Sequence, residues 1–241
     1  MARVVSSLGC AHALLSRKGN VRPHATWMGI TTSEKTYPDD MVMDFARWGS
    51  RHSACCHVVI ADMMQIYNRI PFSKKGWDKW ADHRSYKRAA QERKVLLEEQ
   101  LRGVPDVDVN LMYYGITQQL QQTPGGQFMI DYAAQLLFTQ DKESLHEDVR
   151  TVTRERAGPM LKRAVEQGAD PDFALNVMRH YALEEILLSW YYAERGFARI
   201  KIGPVGEHAY DEITMDLIDG AYGTFDGGRT TFGAVHLEGD S

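Results

Sequence analysis

Short apolar runs alternate with helix-spaced stretches along much of the chain. "HATWMGI", from His24 to Ile30, is a compact apolar run that predicts a short buried strand. "MVMDFARWGS" then spaces Met41, Phe45 and Trp48 along one face of a helix. "CCHVVIAD" is a β-branched run that stops at Asp62 and predicts a second strand. A third candidate strand, "DVDVNLMYY", follows a long helical region that starts near Ser73. Strands alternating with helices predict an α/β fold with a parallel sheet and helices on both of its faces.

The later half reads as mostly helical. "PGGQFMIDYAAQLLF" and the stretch from Ser144 to Glu166 have amphipathic spacing. Asp170 fits an N-cap with Pro171 at the first helical position, and Gly196 fits a stop, which predicts a helix of about seven turns. After it, "ARIKIGPV" reads as a strand and "YDEITMDLIDGAY" as a helix. The Gly-rich end from Gly223 reads as a loose tail or an edge strand. No internal repeat and no linker divides the chain, so residues 1–241 are expected to form one domain.

Composition narrows this picture. With 241 residues, 44% hydrophobic and 25% charged, the chain is an ordinary globular protein with room for a large core. No apolar run approaches the roughly 18 residues needed to span a bilayer, so no membrane partner is expected and the cytoplasm is the expected location. The start is free of acids before Glu34 and carries Arg3, Arg17, Lys18 and Arg22, a composition shared with mitochondrial presequences, although the apolar residues after His24 read as a core strand. Cys10, Cys55 and Cys56 are odd in number, and two are adjacent, which suits neither a disulfide framework nor a zinc site and predicts buried thiols. A net charge of −4 argues against uniform coating of nucleic acid but leaves room for a local basic patch.

Three groups of residues carry candidate chemistry. Thr31, Thr32 and Ser33 follow the first predicted strand at its carboxyl end, where parallel sheets place ligands. They fit a nucleophile, and Ser33 or Thr36 equally fits a cap for the next helix. Tyr181 and Glu185, four apart on the late helix, share a face and can reach one point, as proton transfer requires. From Lys74 to Arg102, a helix would bring Arg84, Lys87, Arg88 and Arg102 near one meridian, fit to track a phosphate backbone; the interspersed Glu92, Glu98 and Glu99 equally suit a solvated face with internal ion pairs. No Walker loop, GxGxxG, HExxH or CxxC is present, nor the ATP-binding signatures of class I aminoacyl-tRNA synthetases.

"GITTSE", the basic helix and the late Tyr–Glu pair together resemble the tRNA-dependent cyclodipeptide synthases. Thr31 stands at the serine of that family's GxSxxN pattern and Glu34 at its asparagine. The similarity continues without a gap to Trp48 and to Asp62 in "VVIAD", and "LQQTPGGQF" resembles a further segment. The resemblance implies a Rossmann-like domain related to the class I synthetase catalytic domain. It also implies a reaction that moves one aminoacyl group from tRNA to an active-site hydroxyl and lets a second amine attack that ester, closing a diketopiperazine. The amino acids arrive activated, so neither ATP nor a metal is expected as cofactor.

By the same resemblance Tyr181 and Glu185 bind the aminoacyl amine, Tyr210 in "EHAYDEIT" is the second tyrosine, and Ser33, Thr31 or Thr32 is the nucleophile. Trp27 and Gly29 line the side-chain pocket, with Asp62 beside them, and Lys74, Lys75, Arg84, Lys87, Arg88, Arg93 and Lys94 bind tRNA. The departures at Thr31 and Glu34 make the chain more similar to a divergent branch that makes arginine-containing products. There Glu34 or Glu184 would neutralise a guanidinium, and arginyl-tRNA would join a second aminoacyl-tRNA as substrate of a monomer. Another aminoacyl-tRNA-dependent transferase and a non-catalytic tRNA-binding module share the same features.

Overall fold

A computed structural model describes residues 3–9, 25–32, 34–60, 84–112, 115–138, 158, 161–193, 195, 197–202 and 233–238. A six-stranded sheet runs in the order β1-β6-β5-β2-β3-β4. The strands are β1 (Arg3–Gly9), β2 (Ala25–Ile30), β3 (Cys56–Ile60), β4 (Val107–Leu111), β5 (Phe197–Ile202) and β6 (Gly233–Glu238). From β6 to β4 all neighbours are parallel, and β1 pairs antiparallel with β6. The α/β architecture is the one the alternation of apolar runs predicts.

β2 and β3 are buried on both sides, which is why they read as continuous apolar runs. Side chains alternate between faces along a strand, and this divides the core in two. Met28, Ile30, Val58 and Ile60 pack against Val42, Phe45 and Trp48 of α1 (Asp39–His52) and against Ala90 and Leu97 of α2 (Arg84–Gln100). Trp27 and Val59 face the opposite way. They meet Ile116 and Leu120 of α3 (Gly115–Leu120), Ala133 and Leu137 of α4 (Gly126–Phe138), and Ile186 and Trp190 of α5 (Pro171–Ala193).

α5 begins as its sequence predicts. The Asp170 carboxylate accepts the Phe173 N–H at 2.8 Å, and Pro171 occupies the first helical position, where a missing N–H costs nothing. Its 23 residues make about six and a half turns. α1 differs from expectation. Its N-cap position is taken by Pro38, with no side-chain cap bond; Asp39 and Asp40 in the first turn and Arg51 and His52 in the last complement the helix dipole, and Ser33 lies outside the described residues.

One further expectation is corrected. Within the glycine-rich end, Gly233–Glu238 is not an edge strand: β6 lies inside the sheet, paired on both sides, and residues 223–232 lie outside the described residues. The edge beside it is β1, drawn from the acid-free start. The predicted helix "YDEITMDLIDGAY" and the start of the basic region at Ser73 lie outside the described residues. No helix of the described residues is long and apolar enough to cross a membrane.

Candidate active site

One row of side chains on α5 faces the sheet: Tyr181, Glu185 and Ser189, each four residues from the last, so that they stack along one helical face. The Tyr181 hydroxyl donates to Glu185 Oε1 at 2.9 Å. The other carboxylate oxygen, Oε2, is 3.1 Å from Nη2 of Arg199, whose Nη1 donates to Ser189 Oγ at 2.9 Å. Arg199 sits on β5 directly across from Trp27 in the parallel register. Its guanidinium lies 5.0 Å over the Trp27 ring. The side chains of Glu185 and Arg199 are only 17% and 13% exposed, so their attraction is screened far less than that of a surface pair.

Trp27 anchors this arrangement from below. It is fully buried and stacks on Tyr192 of α5 at 4.5 Å with 14° between the planes. A side chain at Gly29 would lie against the Trp27 ring, its Cβ 3.5 Å from the ring's Cζ3. Burial raises the Tyr192 hydroxyl well above its ordinary range, so the phenol stays protonated. On the same sheet face Tyr192 lines a cavity of about 330 Å³ with His57, Asn110, Tyr191, Arg195 and Phe197. Burial pushes His57 below its ordinary value despite the pull of Asp108.

Thr31 and Thr32 stand half-buried immediately past the carboxyl end of β2, four and five residues beyond Trp27. At about 3.3 Å per residue, Thr31 is roughly 13 Å further along the strand direction than Trp27. Ser33, Asp62, Lys74, Lys75 and Tyr210 lie outside the described residues. Arg84 opens α2, Arg88 is exposed, Lys87 is half-buried, and Lys94 pairs with Glu98 at 3.4 Å.

Three of the residues marked for substrate or tRNA sit differently from expectation. Arg93, one of the basic residues assigned to tRNA, is buried, and the structure turns it inward. Its Nη2 donates to the Tyr37 carbonyl at 2.6 Å and lies 2.7 Å from Asp39 Oδ1, an ion pair without hydrogen-bond alignment. Glu34 is exposed and points to Arg93 Nη1 at 3.5 Å. Glu184, the other candidate partner for a substrate guanidinium, is 3% exposed and accepts the Ile116 N–H at 2.6 Å, the Thr117 N–H at 3.3 Å and the Thr117 hydroxyl. A carboxylate so enclosed holds the start of α3.

Arg199 and Ser189 are the residues sequence reasoning missed. The signal for Arg199 was present: in "FARIKI" the odd positions alternate with Ala198, Ile200 and Ile202, and an arginine on an interior strand must find a partner within the core. Cys55 is half-buried and Cys56 buried, with the Cys56 thiol pushed up to about 12 by burial, which leaves it inert. Among the described residues, no three His, Cys, Asp or Glu side chains gather as a metal site.

No protein-family model and no curated protein matches the chain. Its fold is nevertheless similar to that of several solved structures. A cyclodipeptide synthase from Fluoribacter dumoffii superposes with a TM-score of 0.62 at 12% identity, over 98% of each chain. A Mycobacterium tuberculosis protein whose structure relates cyclodipeptide synthetases to type I tRNA synthetases gives 0.62 at 12% identity, over 90% of this chain and 87% of that one. A cyclodipeptide synthase from Candidatus Glomeribacter gigasporarum, bound to Phe-tRNAPhe, gives 0.54 at 12% identity, over 97% and 96%. At such identities the likeness establishes a shared fold.

Proposed function

We propose that this protein is a cyclodipeptide synthase, an enzyme that joins two aminoacyl groups delivered on tRNA into a diketopiperazine. The observation that carries the reading is the half-buried Tyr181–Glu185 pair on α5, bonded at 2.9 Å, in a chain similar over nearly its whole length to synthases of that class. A carboxylate oriented by a phenol receives a substrate ammonium and takes up the protons that acyl transfer to an amine releases.

In the proposed reaction a hydroxyl oxygen of Thr31, Thr32 or Ser33 attacks the ester carbon of the first aminoacyl-tRNA. The ester bond to the ribose breaks, and the terminal ribose oxygen leaves with the proton the hydroxyl gave up. One amine then attacks one ester to form the first amide, and the remaining amine attacks the remaining ester to close the ring. Two tRNAs leave and the enzyme hydroxyl is restored. The carboxyl end of β2 suits the nucleophile, because a parallel sheet opens toward ligands there. No ATP or metal enters these steps, since both esters arrive activated. The finer reading, with arginine as one of the two residues, rests on the departures at Thr31 and Glu34 from that family's pattern; of the two carboxylates that would receive a guanidinium, Glu34 is exposed 3.5 Å from Arg93 Nη1, whereas Glu184 is engaged by Ile116 and Thr117.

Incubation of the purified chain with charged total tRNA, followed by mass spectrometry, tests the reading. Diketopiperazines are expected from the wild type and are expected to vanish in one of Thr31→Ala, Thr32→Ala and Ser33→Ala. For Glu185→Gln the expected loss is about 10²–10⁴-fold in rate. A linear or otherwise conjugated aminoacyl product would assign a different transferase. Neither product nor a mass increment on the protein would withdraw catalysis in favour of tRNA binding alone.

A further inference from the structure

Glu185 is held from two elements at once. Tyr181, one turn earlier on α5, donates to its Oε1 at 2.9 Å, and Arg199 of β5 reaches its Oε2 at 3.1 Å. The two contacts differ in what they fix. A phenol on the same helix moves with the carboxylate and can donate to either oxygen, so by itself it does not set which oxygen faces outward. Arg199 ties the carboxylate to the sheet. β5 is an interior strand, and Arg199 is in register with Trp27 of β2 on one side and Ala234 of β6 on the other. The guanidinium is fixed as well: Nη1 donates to Ser189 Oγ at 2.9 Å, one turn beyond Glu185 on α5, and the group lies 5.0 Å over the ring of the buried Trp27. Its planar fork spans Glu185 and Ser189 with two different nitrogens, a geometry that an ammonium on a flexible stem does not impose.

We propose that Arg199 is a positioning residue for the reaction, holding Oε2 of Glu185 so that Oε1, beside the Tyr181 hydroxyl, is the oxygen presented to the substrate amine. This rests on the cyclodipeptide synthase reading and adds to it a residue that acts through Glu185. A glutamate side chain is rich in rotamers, and a group that must meet an amine within hydrogen-bond reach gains when that freedom is removed on folding rather than at each turnover. Ser189 has a smaller part in the same role, since it anchors the other arm of the fork.

The test is a double-variant cycle on the full chain. Initial rates of diketopiperazine formation from charged total tRNA, read by mass spectrometry over a range of tRNA concentrations, are compared for wild type, Arg199→Met, Glu185→Gln and the double variant. Arg199→Met is expected to lower kcat by about 10²-fold and to leave the apparent KM near that of the wild type. Arg199→Lys keeps the charge without the fork and is expected to recover part of the loss. Because Arg199 acts through Glu185, the double variant is expected to be no slower than Glu185→Gln alone. Thermal midpoints show which variants are folded. Where Arg199→Met is not, Arg199→Lys and Ser189→Ala carry the same cycle, each with a smaller loss in kcat that disappears in the Glu185→Gln background. Losses that multiply in the double variants would overturn the inference, leaving Arg199 a structural role and the synthase reading in place. So would a folded Arg199→Met that keeps the wild-type kcat or changes KM alone. A wild type that makes no diketopiperazine from charged total tRNA would remove the synthase reading itself, and the inference with it.

Discussion

Glu184 Oε2 accepts the N–H of Ile116 at 2.6 Å, so a carboxylate on α5 holds the first turn of α3 from 68 residues away. The N–H groups of a helix's first turn have no partner within the helix, and here a buried acid from another helix supplies one. Replacing it with alanine would leave those N–H groups unmet in the core, at a cost of about 3 kcal/mol. A chemical-denaturation comparison of wild type with Glu184→Ala measures that loss.

The pH dependence of this contact has a definite sign. Burial pushes the Glu184 carboxyl above its ordinary 4.5, and the hydrogen bonds from Thr117 and Ile116 pull it partly back. An acid that binds its proton more tightly when folded adds stability below its unfolded value, and that contribution is lost as pH rises through the folded value. The stability of wild type relative to Glu184→Gln is therefore expected to fall as pH rises from 4.5. Denaturant titrations at successive pH values check this, and a relative stability that instead grows over that range would show that the hydrogen bonds outweigh burial.

Arg93 joins α2 to the segment that follows the hydroxyls, through the Tyr37 carbonyl and Asp39. Removing it leaves the largely shielded Asp39 carboxylate without its cation, a loss of about 3 kcal/mol, while the exposed Glu34 contributes little. Arg93→Met is expected to lower the thermal midpoint by about 6–12 °C. Arg93→Lys keeps the charge and should lose less. Thermal melts of the two variants separate lost charge from lost guanidinium geometry.

The same residue shows how far the sequence could be read. α2 buries Ala90, Arg93 and Leu97, and Leu101 just past its end continues this stripe, in which Arg93 takes an apolar position. The resemblance placed it with the tRNA-binding basic residues; its position in the stripe was the better guide. Glu184 repeats the case, an acid among Leu183, Ile186 and Leu187 that is solvated only by a distant helix start. β2, β3, α1 and α5 were legible because apolar runs and the Asp170–Pro171 start are local signals. β1 was not, since its strand character depends on a partner more than 200 residues away along the chain, as with Arg3 opposite Glu238, and β6 was read as a loose tail or an edge strand because β1, its second neighbour in the sheet, is that distant. The pairing of Glu185 with Arg199 is likewise a tertiary fact, absent from the i, i+4 spacing that suggested Tyr181 with Glu185.

Gly49 tests packing against helix propensity. A Cβ at this position would meet Cys56 Sγ at 2.6 Å and Thr26 Oγ1 at 2.7 Å, both on buried strands. Alanine in a helix interior is ordinarily favoured over glycine by about 1 kcal/mol. Overpacking against a fixed sheet costs about 1–3 kcal/mol, so the clash is expected to win. Gly49→Ala should melt lower than wild type by a few degrees, and a variant that melts higher would mean that α1 moves off the sheet without cost.

Salt dependence distinguishes the cations of α2 that face a polyanion from those that do not. Arg88 is exposed, whereas Lys94 is paired with Glu98 at 3.4 Å and Arg93 is turned into the core. Each lost phosphate contact lowers the slope of log affinity against log salt by about 1. In tRNA-binding titrations across a salt series, Arg88→Ala is expected to reduce the slope by about that amount. Lys94→Ala should reduce it less, because Glu98 already neutralises the ammonium. Arg93→Met should leave the slope unchanged even where it lowers stability, since the side chain it replaces never reaches the surface. A slope that responds equally to all three substitutions would mean that the tRNA reads the total charge of the helix, and one that responds to none would move the tRNA-binding face away from α2.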